Sequence, residues 1–505
     1  MDEPETQKDI NPIETPKTET AEVNKPKHTN KNPWYKQRKW QIISAAVAVV
    51  AIAAVIIAFS SSSHYMTAKY VPPTKTNQPA IGDSCATANS TTGTSGTTLI
   101  CKQINGKLIW QSDAPTTNEG NANSLNPIIK GEALSNGECT GSGSTTLTNS
   151  PLSVSDIGYI SPMGTMVGGH VTPVDHEYYY QLNASAPADT YPVYATAAGS
   201  IVGVEVNYHN GSSPLPAWSV VLSHSCTFFT MYNLMTSIAP SIKAALPATW
   251  SDNSAGGIKI PVTAGELIGY VGGQSLDFSV VNTNVTLKGF LYPTAYNNAQ
   301  PEQINTVEPL DYFSSSVKSA ITPYYLRTAT PLDGTIDYDV SGEAVGNWFV
   351  VGSNGYAGTY TANGTTTPWA THLALAYDNI DPSAETFSIG DYDNNPNNPT
   401  QFAVTNSVDW TKITPSSGMV KIELAQPSYK TQAGIVWSGG LVKNLKFTAS
   451  TFEATALVQM TDANHMKVQV FPGQTASQVS GFTSAAVLYN RGQDAKMVAS
   501  NTATN

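Results

Sequence analysis

Two kinds of apolar pattern run along this chain. Residues 42–59, IISAAVAVVAIAAVIIAF, form one unbroken uncharged stretch, whereas beyond residue 150 apolar and polar positions alternate in short runs separated by Gly-bearing turns. A period of two places successive side chains on opposite faces of a sheet, so the alternating runs predict β-strands. In residues 152–319 these runs are YPVYATAAGSIVGVEV, WSVVLSH, CTFFTMYNLM, AGELIGYVGG and LDFSVV. They predict an antiparallel β domain with a single helix of note, over residues 237–246. In residues 324–491 about eight further runs, among them GNWFVV, THLALAYDNI, MVKIEL and HMKVQVF, predict a second domain, a β-sandwich or barrel-like structure. The fold class is mainly β, behind one N-terminal transmembrane helix.

The unbroken stretch, at 1.5 Å of rise per helical residue, nearly matches a hydrocarbon core of about 30 Å and predicts a membrane span over residues 41–59. The polar residues ahead of it are too many for the start of a cleaved signal peptide. Lys25, Lys27, Lys31, Lys36, Arg38 and Lys39 crowd its amino-terminal side, and Trp34, Tyr35 and Trp40 suit the interface. Residues 1–40 are then a disordered cytoplasmic tail, and everything after the span is an extracellular ectodomain held in the cell membrane by a single pass. The lipid bilayer is the partner this pattern names.

Residues 60–151 read as a polar stalk and Gly/Ser/Thr-rich linkers around one small island, LICKQINGKLIW. Its Asn105-Gly106 dipeptide supplies the positive φ angles of a tight hairpin. Cys85 and Cys101 close a short loop in an oxidising space and predict one disulfide, giving a hairpin module over about residues 81–112. Spacing leaves Cys139 and Cys226 open between a second bridge and buried thiols. Residues 492–505 form a polar tail. The net charge of −11 lies almost wholly beyond the span, because the first forty residues carry eight Lys and Arg against seven Asp and Glu. Such an ectodomain repels polyanions, which excludes nucleic acid as a partner.

The order GGHVTPVD, PVYATAAGSIVGVE, VVLSHSCTFFTMYNLM, VTAGELIGYVGG and SLDFSVV resembles the lysostaphin-type zinc endopeptidases that act on bacterial cell walls, over about a third of the chain. The resemblance implies a metallopeptidase-like antiparallel β domain in which His170, Asp175 and Asp277 stand at the metal-binding positions. It departs from the family at the chemistry. Four residues separate His170 from Asp175 where the family has three; Ser275 and Asp277 stand where it has a His-x-His strand; and Asn233 stands at the other catalytic histidine. His176 and His224 are the remaining catalytic candidates, and Asn233 and Ser275 are candidates for contact with substrate.

A hydrolytic zinc is held by three protein groups with a fourth position left for water, whose pKa falls to about 7. One imidazole and two carboxylates form a harder set, which lowers affinity for zinc and turns preference toward other divalent ions. Loss of both histidines beside the metal removes groups worth roughly 10²-fold each in amide hydrolysis. The sequence therefore reads first as a surface protein whose endopeptidase-like domain binds peptidoglycan or another envelope polymer without catalysis. A metal-dependent cell-wall hydrolase with a rearranged site is the second reading, and a structural surface-layer protein or adhesin the third. Set against all three, HVTPVDHEYYY also reads as a turn in which Asp175 bonds nearby amides and His176 a carbonyl. Asp391, Asp393 and Asn395 alternate like calcium ligands, but Pro396 stands where such a loop needs Gly, so a solvated turn is expected. Trp348, Trp369, Tyr377 and Trp437 are expected in strand packing before sugar stacking.

Overall fold

The structure, a computed structural model, describes residues 86–87, 91–92, 99–104, 107–112, 139–208, 215–251, 258–297, 299–359, 368–393, 395, 398 and 400–495. The predicted span at 41–59, the inner tail, the stalk and Cys85 lie outside the described residues. Among the described residues no helix is long and apolar enough to cross a membrane. Cys101 is buried and disulfide-bonded.

Three strands come first: β1 (Thr91–Thr92), β2 (Leu99–Ile104) and β3 (Lys107–Ser112). β2 and β3 pair antiparallel with Ile104 opposite Lys107. The middle domain follows with β4 (Ile157–Ser161), β5 (Glu177–Gln181), β6 (Tyr191–Tyr194), β7 (Gly199–Tyr208), β8 (Pro216–Ser225), β9 (Phe228–Met235), β10 (Ser237–Ile238), β11 (Ile260–Val262), β12 (Leu267–Val271), β13 (Leu276–Asn282) and β14 (Thr306–Val307). Its large sheet runs β11-β7-β8-β9-β13-β5-β4, with β14 also paired to β13, and a small sheet runs β10-β12-β6. Val193, Ile238, Ile268 and Val271 from the small sheet pack with Val220, Leu222, Tyr232, Phe278 and Val280 from the large one in a single apolar core. Period-two alternation leaves the opposite face of the large sheet for chemistry.

The helix predicted over 237–246 is confined to Pro240–Ala245, because Ser237 and Ile238 pair in β10 and Pro240 sits in the first helical turn. A second short helix, Ser315–Ile321, was not anticipated; Ser314 caps it by accepting from the Val317 amide. Cys139 and Cys226 form a disulfide, tying the linker to the β8–β9 turn.

The carboxy-terminal domain is a closed barrel of eight strands: β15 (Gly346–Val350), β16 (His372–Tyr377), β17 (Glu385–Ile389), β18 (Thr400–Val404), β19 (Val420–Lys430), β20 (Lys446–Asp462), β21 (His465–Pro472) and β22 (Val487–Asn490). Each strand pairs with the next, and Phe349 opposite Asn490 closes the ring. Trp348, Leu375, Tyr377, Phe387, Phe402, Leu424, Val458 and Tyr489 fill the interior, so Trp348 and Tyr377 are core groups. A separate cluster joins the two domains: Met163, Phe290, Tyr296 and Ile304 of the middle domain pack with Phe349 of β15.

Candidate functional site

Strand β13 lies between β9 and β5, and Asp277 stands directly opposite Asn233 on one side and Tyr178 on the other. Directly opposed residues share a face, so these three side chains project together. The two-residue period adds Ser275, immediately before β13, and Tyr180 on β5, while Leu276, Phe278 and Tyr179 turn into the core. His176 immediately precedes β5 and, two residues from Tyr178, joins the same face.

His176 is the hub of this cluster. Its Nδ1 lies 3.1 Å from Asp175 Oδ1 in hydrogen-bond geometry. Its Nε2 lies 3.4 Å from Asp277 Oδ2, an ion-pair distance with no hydrogen bond formed. The rings of His170 and Tyr178 meet it edge to face at centroid distances of 5.6 and 4.9 Å. The Ser275 hydroxyl is 3.4 Å from Asp277 Oδ1. His176, Asp175 and Asp277 are all buried.

The charge states follow from burial and from these neighbours. Burial pushes Asp277 up to about 7, with His176 and the Ser275 hydroxyl pulling it partly back. Burial alone would lower His176, but the carboxylates of Asp277 and Asp175 outweigh it and raise its pKa. Desolvation of its ring, with His176 beside it, lowers the half-buried His170 to about 4, so it is neutral at physiological pH. Burial, with Asp277 nearby, raises Tyr180 to about 12.

His170, Asp175 and Asp277 are the candidate metal positions of the sequence, and as placed they do not converge on one centre. Asp175 and Asp277 both turn toward His176, whose two nitrogens face their carboxylates. Among the described residues no group of three or more His, Cys, Asp or Glu side chains could hold a metal ion. His224 is not brought to this cluster. Its ring bonds the Ala198 carbonyl and the Thr230 hydroxyl, both at 2.9 Å, and Thr230 in turn reaches Tyr232 on the core side of the sheet. Asn233 does lie beside Asp277, half-buried, on a strand whose next residue, Leu234, takes a φ of 61°. Gln274 steadies that irregular step by donating to the Leu234 and Pro216 carbonyls.

Sequence reasoning gave His176 a supporting part and missed the groups that wall the cluster. Tyr178 and Tyr180 were legible, since His176-x-Tyr178-x-Tyr180 is one face of a strand. Tyr356 was not, and Trp369, expected in strand packing, stands instead in the short turn Pro368–Thr371, because both arrive from the connection between β15 and β16 of the barrel. Tyr356 lies within electrostatic reach of Asp175. A Cβ placed on Gly169, next to His170, would sit 3.5 Å from the Trp369 ring.

No protein-family model and no curated protein matches this chain. Among solved structures, the NMR solution structure of lysostaphin is similar over 61% of this chain and 100% of its own, with 13% identity and a TM-score of 0.19. A superposition that loose carries no argument about fold or activity, and the chain's own geometry has to supply one.

Proposed function

We propose that this chain is a single-pass cell-surface protein whose middle domain binds an envelope polymer, peptidoglycan or another glycan, without cleaving it. The observation that carries the reading is the engagement of His176 by Asp175 and Asp277. Metal-assisted hydrolysis requires three converging ligands around an open fourth position. General-base catalysis requires a nitrogen free to take a proton from water or substrate. The first is not on offer where both carboxylates are turned to one imidazole, and for the second, Asp277 stands 3.4 Å from the unbonded His176 Nε2, where water or substrate would have to approach that nitrogen. What the same face does present is neutral hydrogen-bonding capacity: Asn233 and Ser275 are half-buried at its edge, groups suited to sugar hydroxyls and peptide amides. Anchoring in the membrane is supported by the uncharged run at 42–59 and the cationic residues ahead of it.

The test is cosedimentation of purified ectodomain with isolated cell-wall material, alongside elemental analysis of protein made without chelators. Pelleting without stoichiometric metal is expected. Failure to bind any envelope glycan would remove the binding reading. One zinc per chain, lost in His170→Ala, would restore the hydrolase.

A further inference from the structure

The loop that carries His170, Asp175 and His176 folds back on itself and is gripped from the barrel. Within the loop, Gly164 donates to the Val174 carbonyl at 2.8 Å and Val174 to the Thr165 carbonyl at 3.2 Å, so residues 164–165 fix the residue next to Asp175. The limb at 161–165 in turn meets Asn379, in the turn between β16 and β17. The Asn379 side-chain amide donates to the Ser161 hydroxyl, the Pro162 carbonyl and the Thr165 hydroxyl at 3.2, 2.8 and 2.8 Å. The approach is close: Gly164 has a φ of 92°, and a Cβ there would fall 2.6 Å from the Thr335 carbonyl oxygen and 3.4 Å from Asn379 Cβ. Asn379 is held as firmly from behind. Its carbonyl accepts from Arg327 at 2.8 Å, and the neighbouring Asp378 carboxylate accepts from the amides of Ile380 and Asp381 at 3.1 and 2.7 Å. Both Asn379 and Arg327 are buried.

We propose that Asn379 is a positioning residue for the His-Asp face: through the β16–β17 turn the barrel sets the loop from which Asp175 and His176 reach Asp277, and the face takes its shape only where the two domains meet. Cohesion between the domains does not call for such a contact, since the apolar cluster of Met163, Phe290, Tyr296, Ile304 and Phe349 already joins them. A buried amide that serves three acceptors adds direction instead, because a displaced loop would leave the donor and those acceptors unpaired. The loop has other anchors. Met163 donates to the Asp333 carbonyl at 2.9 Å and the Pro173 carbonyl accepts from Gln303 at 3.0 Å, each a single bond on one limb. Asn379 gathers three groups of the limb to which Val174 bonds. The reading goes beyond polymer binding: it concerns the ligand-free protein and holds or fails whatever the face binds.

The experiment is proton NMR of the whole ectodomain with isotopically labelled histidine, following the ring proton on His176 Nδ1, the nitrogen bonded to Asp175. In the wild type that proton is expected as a resolved downfield signal. Asn379→Ala should abolish it or speed its exchange with solvent at least about tenfold. Thr165→Val removes one acceptor from the loop's own side and keeps the shape of the side chain; it should act in the same direction, and it decides alone if Asn379→Ala fails to fold. Trp410→Phe provides the contrast, because Trp410 lies in the barrel core, where it donates to the Ala376 carbonyl. Its His176 signal should match the wild type even where its denaturation midpoint falls below that of Asn379→Ala. A wild type without the signal, a signal unchanged in both Asn379→Ala and Thr165→Val, or one lost equally in Trp410→Phe overturns the proposal.

Discussion

His176 and Asp277 face each other across 3.4 Å, both buried, and both hold protons more tightly than in an unfolded chain. Their folded pKa values lie above the unfolded ones, so the native state binds extra protons between the unfolded value of Asp and about 7, the folded value of Asp277. That contribution to stability is complete at acid pH and disappears as pH rises through the folded pKa values. The unfolding free energy should therefore decline from about pH 4 to about pH 7, and Asp277→Asn should flatten the decline. In the same variant the NMR titration midpoint of the His176 imidazole should move down, because a carboxylate that favours its charged form is gone. An unmoved midpoint would mean that the two groups are not coupled.

How much of this was readable beforehand depends on the range of the contact. Alternation located the strands, and barrel closure follows where eight consecutive strands each pair with the next. Sheet order in the middle domain was not readable, because β13 meets β5 and β9 across gaps of about a hundred and of forty residues, and pairing over such distances leaves no local mark. His224 was readable and misplaced: counting by twos from Val220 and Leu222 puts it on the core side, where it bonds Thr230. At the metal-like positions, a count of residues could not show that His176 would enter between two carboxylates. Tyr356 left no sequence signal, and Trp369 was read only as strand packing, since both stand next to residues some 180 to 200 positions earlier.

A second acidic pair lies on the core side of the same sheet. Glu177 Oε2 accepts from the Tyr325 hydroxyl at 3.0 Å, and the carboxyl of Asp333 stands nearby, accepting from the Leu310 amide at 2.8 Å. Burial raises both, Asp333 to about 7 and Glu177 well above its usual range. The sign is the same as for Asp277: protons retained on folding stabilise at low pH, and the gain is lost as pH climbs toward 7. Asp333→Asn keeps the acceptor for Leu310 and removes the ionisation. Its denaturation midpoint should vary less than that of the wild type between about pH 4 and about pH 7. Equal variation in the two proteins would show that Asp333 titrates normally.

Arg491, just after β22, is buried, its guanidinium 3.6 Å above the Trp348 ring and paired with Asp339 at 3.1 Å. It also donates to the carbonyls of Glu343, Val345 and Asn347. Burial lowers its pKa to about 10, which leaves it charged at neutral pH. Arg491→Ala would strand the buried Asp339 carboxylate, at a cost of about 3–5 kcal/mol in urea denaturation. Arg491→Lys should recover only part of this, since an ammonium keeps the charge but not the planar fork that serves three carbonyls and the ring together. Full recovery by Lys would reduce the role of Arg491 to charge alone.

Gly390, which follows β17, offers a way to disturb the Trp369 segment from inside the barrel. A Cβ built there would fall 1.5 Å from the Trp369 carbonyl oxygen, a backbone atom with no rotamer by which to move aside. Gly390→Ala therefore has to separate β17 from residues 369–370, and overpacking of this kind costs about 1–3 kcal/mol or more. Gly481 provides the control, because a Cβ there meets nothing within 4 Å. Thermal unfolding should show Gly390→Ala clearly destabilised and Gly481→Ala close to wild type.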